Sequence, residues 1–463
     1  MSSRYRFLVL WVACLTVFSG RLAAVADAAE AAWKIGLAKA VITPEKFMWM
    51  AGYASRDRPA DGKLTDLWAK TMVLQDASGQ RAVLVTLDLI GISRDLADEL
   101  AAALKQRYGL ERRQLALCTS HTHSGPVVAR NLSPLHELIL DAEQRRLIEE
   151  YAPALQNKIL QTIDAAMADL QPATLSWGSG TATFGTNRRN NPADKVPQLR
   201  AEGKLRGPSD HDVPVLAVRD SAGKLKAVVF GYACHATTLA LFQWCGDYPG
   251  YAQIEVEQSQ PGCQAMFWAG CGADQNPLPR RTVELAMDYG RQLGAAVNDV
   301  LAKEMKPVSA KLATDFREIE LPFATLPTRE QVEQDAKLTE PKDRYTAARA
   351  KLLLQQMAGG KPLNPTYPYA VQAWRLGDDI QFITLGGEVV VDFALRLKKE
   401  LRGPRTWVAG YSNDVMAYIA SRRVLEEGGY EGGGAMVYYG LPAPWALESE
   451  ELIVAEAKRQ AGP

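Results

Sequence analysis

Five histidines are spread over 463 residues, and two of them stand two positions apart in Ser120-His121-Thr122-His123-Ser124-Gly125-Pro126. The apolar run Leu115-Ala116-Leu117-Cys118 precedes them, so the pattern reads as a strand entering a tight loop. Alternate side chains of an extended segment point the same way, and His121 and His123 can share one site. Imidazole is the commonest transition-metal ligand and the natural acid/base group near neutral pH, so the pair supports metal binding or proton transfer. His235 ends another apolar run, Val228-Val229-Phe230-Gly231-Tyr232-Ala233-Cys234. It reads either as a half-buried histidine bonded to a backbone carbonyl or as a further ligand, because strand ends gather on one rim of a sheet, where such folds bind ligands. Glu388 follows a third run, Ile383-Thr384-Leu385-Gly386-Gly387. A carboxylate among apolar neighbours is costly unless it meets a cation. On local grounds a glutamate favoured by a helix N-terminus fits equally. Two histidines and a carboxylate are a common hydrolytic zinc set. His136 and His211 lie in polar loop sequence and are expected to be solvated.

Elements able to position these groups are visible as apolar runs joined by polar, glycine-containing turns. Thr71-Met72-Val73-Leu74 turns into 82–87, Val215-Leu216-Ala217-Val218 into 227–230, and Trp374-Arg375-Leu376 into 380–385. Each pair reads as a β-hairpin. Apolar spacing at three and four predicts helices over 93–108, 140–170, 283–304, 329–356 and 390–401. Hairpins mixed with crossover helices predict an α/β fold, a mixed β-sheet core covered by helices. No linker divides the chain, so one large domain is expected over 33–445, with 325–368 as an inserted helical hairpin or lid.

Arg4 and Arg6, the apolar stretch 7–18 and the small residues of Ala24-Val25-Ala26 and Ala26-Asp27-Ala28 read as a secretory signal peptide, 1–28. A secreted or periplasmic protein without a stable membrane span follows. Five cysteines then remain: Cys118, Cys234, Cys245, Cys263 and Cys271. The odd count leaves an unpaired thiol, and a disulfide among the last four is open. Basic and acidic residues balance at 53 each, with no basic run, which argues against nucleic acid and anionic membranes as partners. Composition, 47% hydrophobic and 23% charged, is that of an ordinary globular enzyme. Oligomeric state is not encoded in any recognisable pattern.

Taken in order, Thr119-Ser120-His121-Thr122-His123-Ser124-Gly125-Pro126, Ala233-Cys234-His235, Gly387-Glu388, Ser412-Asn413-Asp414-Val415-Met416-Ala417-Tyr418-Ile419 and Tyr430-Glu431-Gly432-Gly433 resemble the catalytic domain of the neutral/alkaline (non-lysosomal) ceramidases. The resemblance runs from about residue 36 to residue 442. It implies a zinc-dependent amidase acting on a small-molecule or lipid N-acyl substrate. His121, His235, Glu388 and Tyr418 would be the Zn2+ ligands, and His123 an active-site histidine touching the reacting group. Arg188, in Thr186-Asn187-Arg188-Arg189-Asn190, matches the family's active-site arginine, and Tyr430 the tyrosine that helps hold the substrate carbonyl. Read alone, Tyr418 is an ordinary half-buried tyrosine and Arg188 a surface charge.

Two departures stand out. Where the family carries a serine proposed as nucleophile, this chain reads Gly270-Cys271-Gly272-Ala273-Asp274-Gln275-Asn276-Pro277. Cys271 has no thiolate-stabilising partner in sequence, so an activated water is the expected nucleophile. Asp274 becomes a candidate supporting or general-base carboxylate, sharing proton transfer with His123. No counterpart of the family's C-terminal immunoglobulin-like domain is expected. The competing readings are a zinc esterase or deacetylase acting on a small or cell-wall N-acyl compound, and a non-catalytic binding protein on a degenerate scaffold.

Overall fold

The computed structural model describes residues 33–132 and 134–462. The expected leader, 1–28, lies outside the described residues. Eight strands dominate the larger sheet: β1 (Trp33–Val41), β2 (Trp68–Gln75), β3 (Arg81–Leu87), β4 (Leu115–Thr119), β5 (Gln171–Thr181), β6 (Asp212–Asp220), β7 (Leu225–Tyr232) and β8 (Gln264–Ala269). They run in the order β8-β7-β6-β5-β1-β2-β3-β4, and Lys306–Val308 pairs alongside β5. A four-stranded sheet holds β9 (Leu312–Pro322), β10 (Thr366–Leu376), β11 (Ile380–Leu385) and β12 (Thr406–Ala409), in that order.

All three expected hairpins are present and antiparallel: β2/β3, β6/β7 and β10/β11. Aspartate chemistry closes two of their turns. Asp76 Oδ1 accepts from the N–H groups of Ser78 and Gln80, both at 2.9 Å. Asp220 Oδ1 accepts from Ala222 at 3.0 Å and Lys224 at 2.9 Å. Three other neighbours, β3/β4, β7/β8 and β11/β12, are parallel, which requires crossover helices.

The larger sheet curls. Lys70 Nζ on β2 donates to the Ala265 carbonyl of β8 at 2.8 Å, and Gln264 Nε2 to Thr71 O at 3.2 Å. Alternate side chains of both sheets meet in one core that includes Met72, Leu84, Val229 and Trp268 from the first and Trp374, Phe382 and Trp407 from the second. Helices cover the outer faces: α1 (Arg94–Tyr108), α2 (Ala142–Ala168), α3 (Asp247–Ser259) and α4 (Val283–Leu301) on the larger sheet, then α5 (Arg329–Asp335), α6 (Arg344–Gln356), α7 (Val391–Glu400) and α8 (Ser449–Ala461) later in the chain. Ser93, Asp141 and Thr282 cap α1, α2 and α4 through their side chains.

Some expectations need adjusting. The single helix over 329–356 is two, α5 and α6, separated by a turn containing Pro341. They share a small core of Val332, Ala350, Leu353, Met357 and Leu363. The domain continues past 445, because Ile453, Val454, Ala457 and Ala461 of α8 enter the same core as β10 and β11. The five described cysteines are all free and buried, so no disulfide forms among them. No helix among the described residues is long and apolar enough to cross a membrane.

Candidate active site

His121 lies just past β4 with φ 58°, and its Nδ1 faces the Ile90 carbonyl at 2.6 Å. His235 lies just past β7, with Nδ1 facing the Gly272 carbonyl at 2.8 Å. A carbonyl only accepts, so each ring carries its proton on Nδ1 and presents the Nε2 lone pair. Both Nε2 atoms aim at one oxygen, Glu388 Oε2, from 3.2 and 3.0 Å. Glu388 follows β11 through Gly386-Gly387. Gly387 has φ 74°, and a Cβ there would meet the Ala417 carbonyl at 2.6 Å. Glu388–Val389 then pairs in parallel with Tyr418–Ile419, placing Glu388 opposite Tyr418. The Tyr418 hydroxyl lies 3.3 Å from His235 Nε2. Glu388 is therefore aimed at the imidazoles and precedes α7, which begins at Val391.

His123 Nε2 sits 3.2 Å from His121 Nε2, and ligand nitrogens of His121, His123 and His235 all lie within 4.8 Å of one another. These groups are buried. Burial, followed by the Arg188 charge, pushes the His235 imidazole down to about 4, so it is neutral at pH 7. Burial, with His121 and His235 adding to it, holds His123 well below its usual value. Burial alone would raise Glu388, but His121 and then His235 outweigh it and keep the carboxyl well below the usual range. Two imidazoles and a carboxylate thus converge away from water, which is costly unless a proton or a cation is held between them. Zinc fits this donor set. Bonds of about 2.0–2.1 Å at tetrahedral angles separate ligand atoms by roughly 3.3 Å, close to the 3.0, 3.2 and 3.3 Å seen here.

Arg188 reaches the same point. Its Nη2 donates to the Tyr418 hydroxyl at 3.1 Å, its Nε to Glu431 at 2.7 Å, and its Nη1 lies 3.4 Å from Asn276 Oδ1. Burial opposes the Arg188 charge, but Tyr418 and Glu431 outweigh it and keep the guanidinium protonated. Arg189 turns away to Glu431 and Glu427. Tyr430 is 47% exposed, and its ring packs 5.2 Å from that of Tyr418 and 5.8 Å from the Arg188 guanidinium. Asp274 does not open onto the cluster. Its Oδ2 accepts from Asn187 at 3.0 Å, its Oδ1 from the Val391 N–H at 2.9 Å, and its carbonyl from the Arg188 N–H at 2.8 Å. Burial raises its carboxyl to about 6. Cys271 is fully buried, and burial raises its thiol far above the usual value.

Other contributors were not recognised in the sequence. Tyr439 donates to Glu388 Oε1. Tyr411 follows β12, with its ring 4.2 Å from that of His121 and its hydroxyl 3.4 Å from His235 Nδ1. The strand-end signal that exposed His235 was available for Tyr411 too, after Trp407-Val408-Ala409-Gly410. Gly52, with φ 98°, abuts His123, because a Cβ there would lie 2.3 Å from His123 Nδ1. The Tyr53 ring stands 4.7 Å from the His123 ring, and Arg56 Nη2 donates to the His123 carbonyl at 2.8 Å. His136, expected in solvent, is buried at 1% exposure and accepts from the Gly52 N–H at 3.1 Å. His211 is half-buried, with Nε2 2.9 Å from the Gly185 carbonyl. His211 is hard to place because its flanking residues are polar, whereas the leucines around His136, Leu135 and Leu138, already pointed to burial.

Fold and site together define an α/β protein with a histidine, carboxylate and phenol cluster at the carboxyl ends of its strands. The family described as neutral/alkaline non-lysosomal ceramidase, N-terminal, matches residues 33–272, and the chain belongs to it. A neutral ceramidase of Pseudomonas aeruginosa is 24% identical, over 98% of this chain and 75% of that protein. Neutral ceramidases of Drosophila pseudoobscura pseudoobscura and Drosophila melanogaster are each 25% identical, over 53% of this chain and 36% of theirs. The crystal structure of neutral ceramidase from Pseudomonas aeruginosa superposes with a TM-score of 0.71 at 21% identity, covering 93% of this chain and 74% of that one. At that identity the likeness speaks to the fold.

Proposed function

We propose that this chain is a zinc-dependent amidohydrolase that cleaves the amide bond of a ceramide-like N-acyl substrate. The observation that carries the reading is the convergence of His121 Nε2, His235 Nε2 and Glu388 Oε2, with both Nδ1 protons already committed to carbonyls. His121, His235, Glu388 and Tyr418 would hold the metal. Bound zinc lowers the pKa of water from 15.7 toward about 7, supplying a nucleophile at neutral pH. The water oxygen bonds to the carbonyl carbon, the C–N bond breaks, and the water proton passes to the departing amine. His123 carries that proton at Nε2, the nitrogen facing the cluster. Arg188 and Tyr430 steady the carbonyl oxygen as it gains charge. One such donor is typically worth roughly 3–4 kcal/mol. Asp274 acts behind the site, fixing the turn that presents Arg188. No serine is needed, and the buried Cys271 thiol takes no part. The predicted leader is consistent with action outside the cytoplasm.

Metal analysis joined to a hydrolysis assay tests the proposal. Near one equivalent of zinc is expected, with release of fatty acid and free amine that stops on chelation and returns with zinc. Metal-free protein that still turns over, or zinc-replete protein without turnover on any N-acyl amide, would sink it.

A further inference from the structure

On the His123 side of the site, guanidinium groups gather without carboxylates. Arg56 is 6% exposed, and its Nη1 and Nη2 donate only to the carbonyls of Leu241 and His123, at 3.0 and 2.8 Å. Its Nε is buried with no partner. Arg281 is exposed, and its Nη1 donates to the Tyr53 hydroxyl at 2.8 Å and faces the Leu239 carbonyl at 3.5 Å. Arg280, half-buried beside it, has no side-chain hydrogen bond among the described residues, and burial and then Arg281 lower its affinity for its proton. Among the described residues, none of these three forms an ion pair. The nearest buried anion, Asp247, is already bound to the N–H groups of Leu239 and Tyr248, at 2.8 and 2.7 Å. The other arginine here, Arg58, has its own partner, Asp61, at 3.3 Å.

The chain path ties this rim to the reacting groups. Gln275–Pro277 pairs with Gly185–Asn187, which leads into Arg188, and the same segment continues to Arg280 and Arg281. At the far side Arg281 holds Tyr53, whose ring rests on His123. The rim therefore adjoins the His123 side of the site through Tyr53. Thr282, which follows Arg281, caps the N-terminus of α4, so the local field is positive as well. Uncompensated guanidinium groups beside a reacting centre are a recognition element for an anion.

We propose that Arg281, with Arg280 beside it, binds an anionic oxygen group on the amine half of the substrate, a carboxylate or a phosphate. The favoured substrates are then N-acyl amino acids or N-acyl amino-alcohol phosphates, and neutral N-acyl amino alcohols are secondary. This rests on the amidohydrolase reading and narrows it.

The test compares N-dodecanoylglycine, N-dodecanoylethanolamine phosphate and neutral N-dodecanoylethanolamine on the zinc-loaded protein. At least one charged substrate should exceed the neutral one in kcat/KM by roughly tenfold to a hundredfold. That ratio should fall toward one in Arg281→Met and Arg280→Met, and recover in part in Arg281→Lys. Whichever charged substrate wins distinguishes carboxylate from phosphate. Equal or faster cleavage of the neutral amide, or a ratio unmoved by both substitutions, overturns the anion site and leaves the amidase reading standing. If no N-acyl amide, a ceramide included, is cleaved, the amidase reading fails. Calorimetric binding of the three compounds then decides the anion site alone: tighter charged-ligand binding lost in Arg281→Met supports it, and equal binding overturns it.

Discussion

The floor and the rim of this site are built from opposite surpluses. On the floor, two imidazole Nε2 atoms and a carboxylate converge away from water. On the rim, Arg56, Arg280 and Arg281 lie together and form no ion pair among the described residues. By contrast, Arg396 contacts Glu400, Glu450 and Glu451, and Arg423 contacts Asp392 and Glu427. A buried surplus of one polarity is costly, whereas paired charges at the surface contribute little either way. The difference separates regions that await a partner from regions that are complete. On the proposed readings the partners have opposite signs, a cation below and an anion above.

His235→Ala strikes the floor hardest. It should remove bound zinc and nearly all turnover, beyond the roughly 10–100-fold typical of losing an outer partner. Elemental analysis alongside the hydrolysis assay reads it, and retained metal with retained activity would dissolve the contrast between floor and rim. Arg188→Met should lower kcat by about 10²–10³-fold with zinc content unchanged, so a loss of zinc would move Arg188 into the metal set. Tyr439→Phe removes the hydroxyl that donates to Glu388 Oε1. Competition with a chelator should show zinc held roughly 10–100-fold more weakly.

The smallest effect concerns the loop joining the two regions. His136 holds Gly52, which abuts His123, and the next residue is Tyr53, which bonds Arg281. Burial pushes His136 down to about 3, below its ordinary value of 6.5. The unfolded chain therefore binds this proton first. The contribution is full above pH 6.5 and is lost progressively as pH falls toward 3. Between pH 7 and pH 5 one such group costs about 2 kcal/mol of stability. Urea unfolding at the two pH values should show that difference shrink in His136→Gln. An unchanged slope would assign the acid sensitivity to other groups.

How far the sequence exposes this arrangement depends on how local each signal is. The hairpins closed by Asp76, Asp220 and Gly377 are readable because turn chemistry and strand pattern sit within a dozen residues. Strand β9 is harder, since Asp315, Arg317, Glu318 and Glu320 interrupt its apolar positions. Helix α3 hides behind Pro249 and Gly250 in its first turns. His121, His235 and Glu388 stand out because a polar ligand ends an apolar run, where burial is foreseeable. Tyr439, Gly52 and Arg56 carry no such mark, because their importance arises only when segments 51 to 185 residues apart fold together. Asp274 shows the reverse error. Its motif position suggested proton transfer, but the fold occupies both of its oxygens with protein donors.

The five buried thiols carry a practical consequence. Cys118 and Cys245 are pushed up to about 12 by burial, so neither offers a thiolate at neutral pH. A thiol reagent would label the native protein slowly and the unfolded chain at every described cysteine. The chain thus carries its own gauge of integrity, one that depends on no disulfide. A variant that loses zinc while its thiols stay silent has lost the metal alone, and one whose thiols react at once has lost the fold.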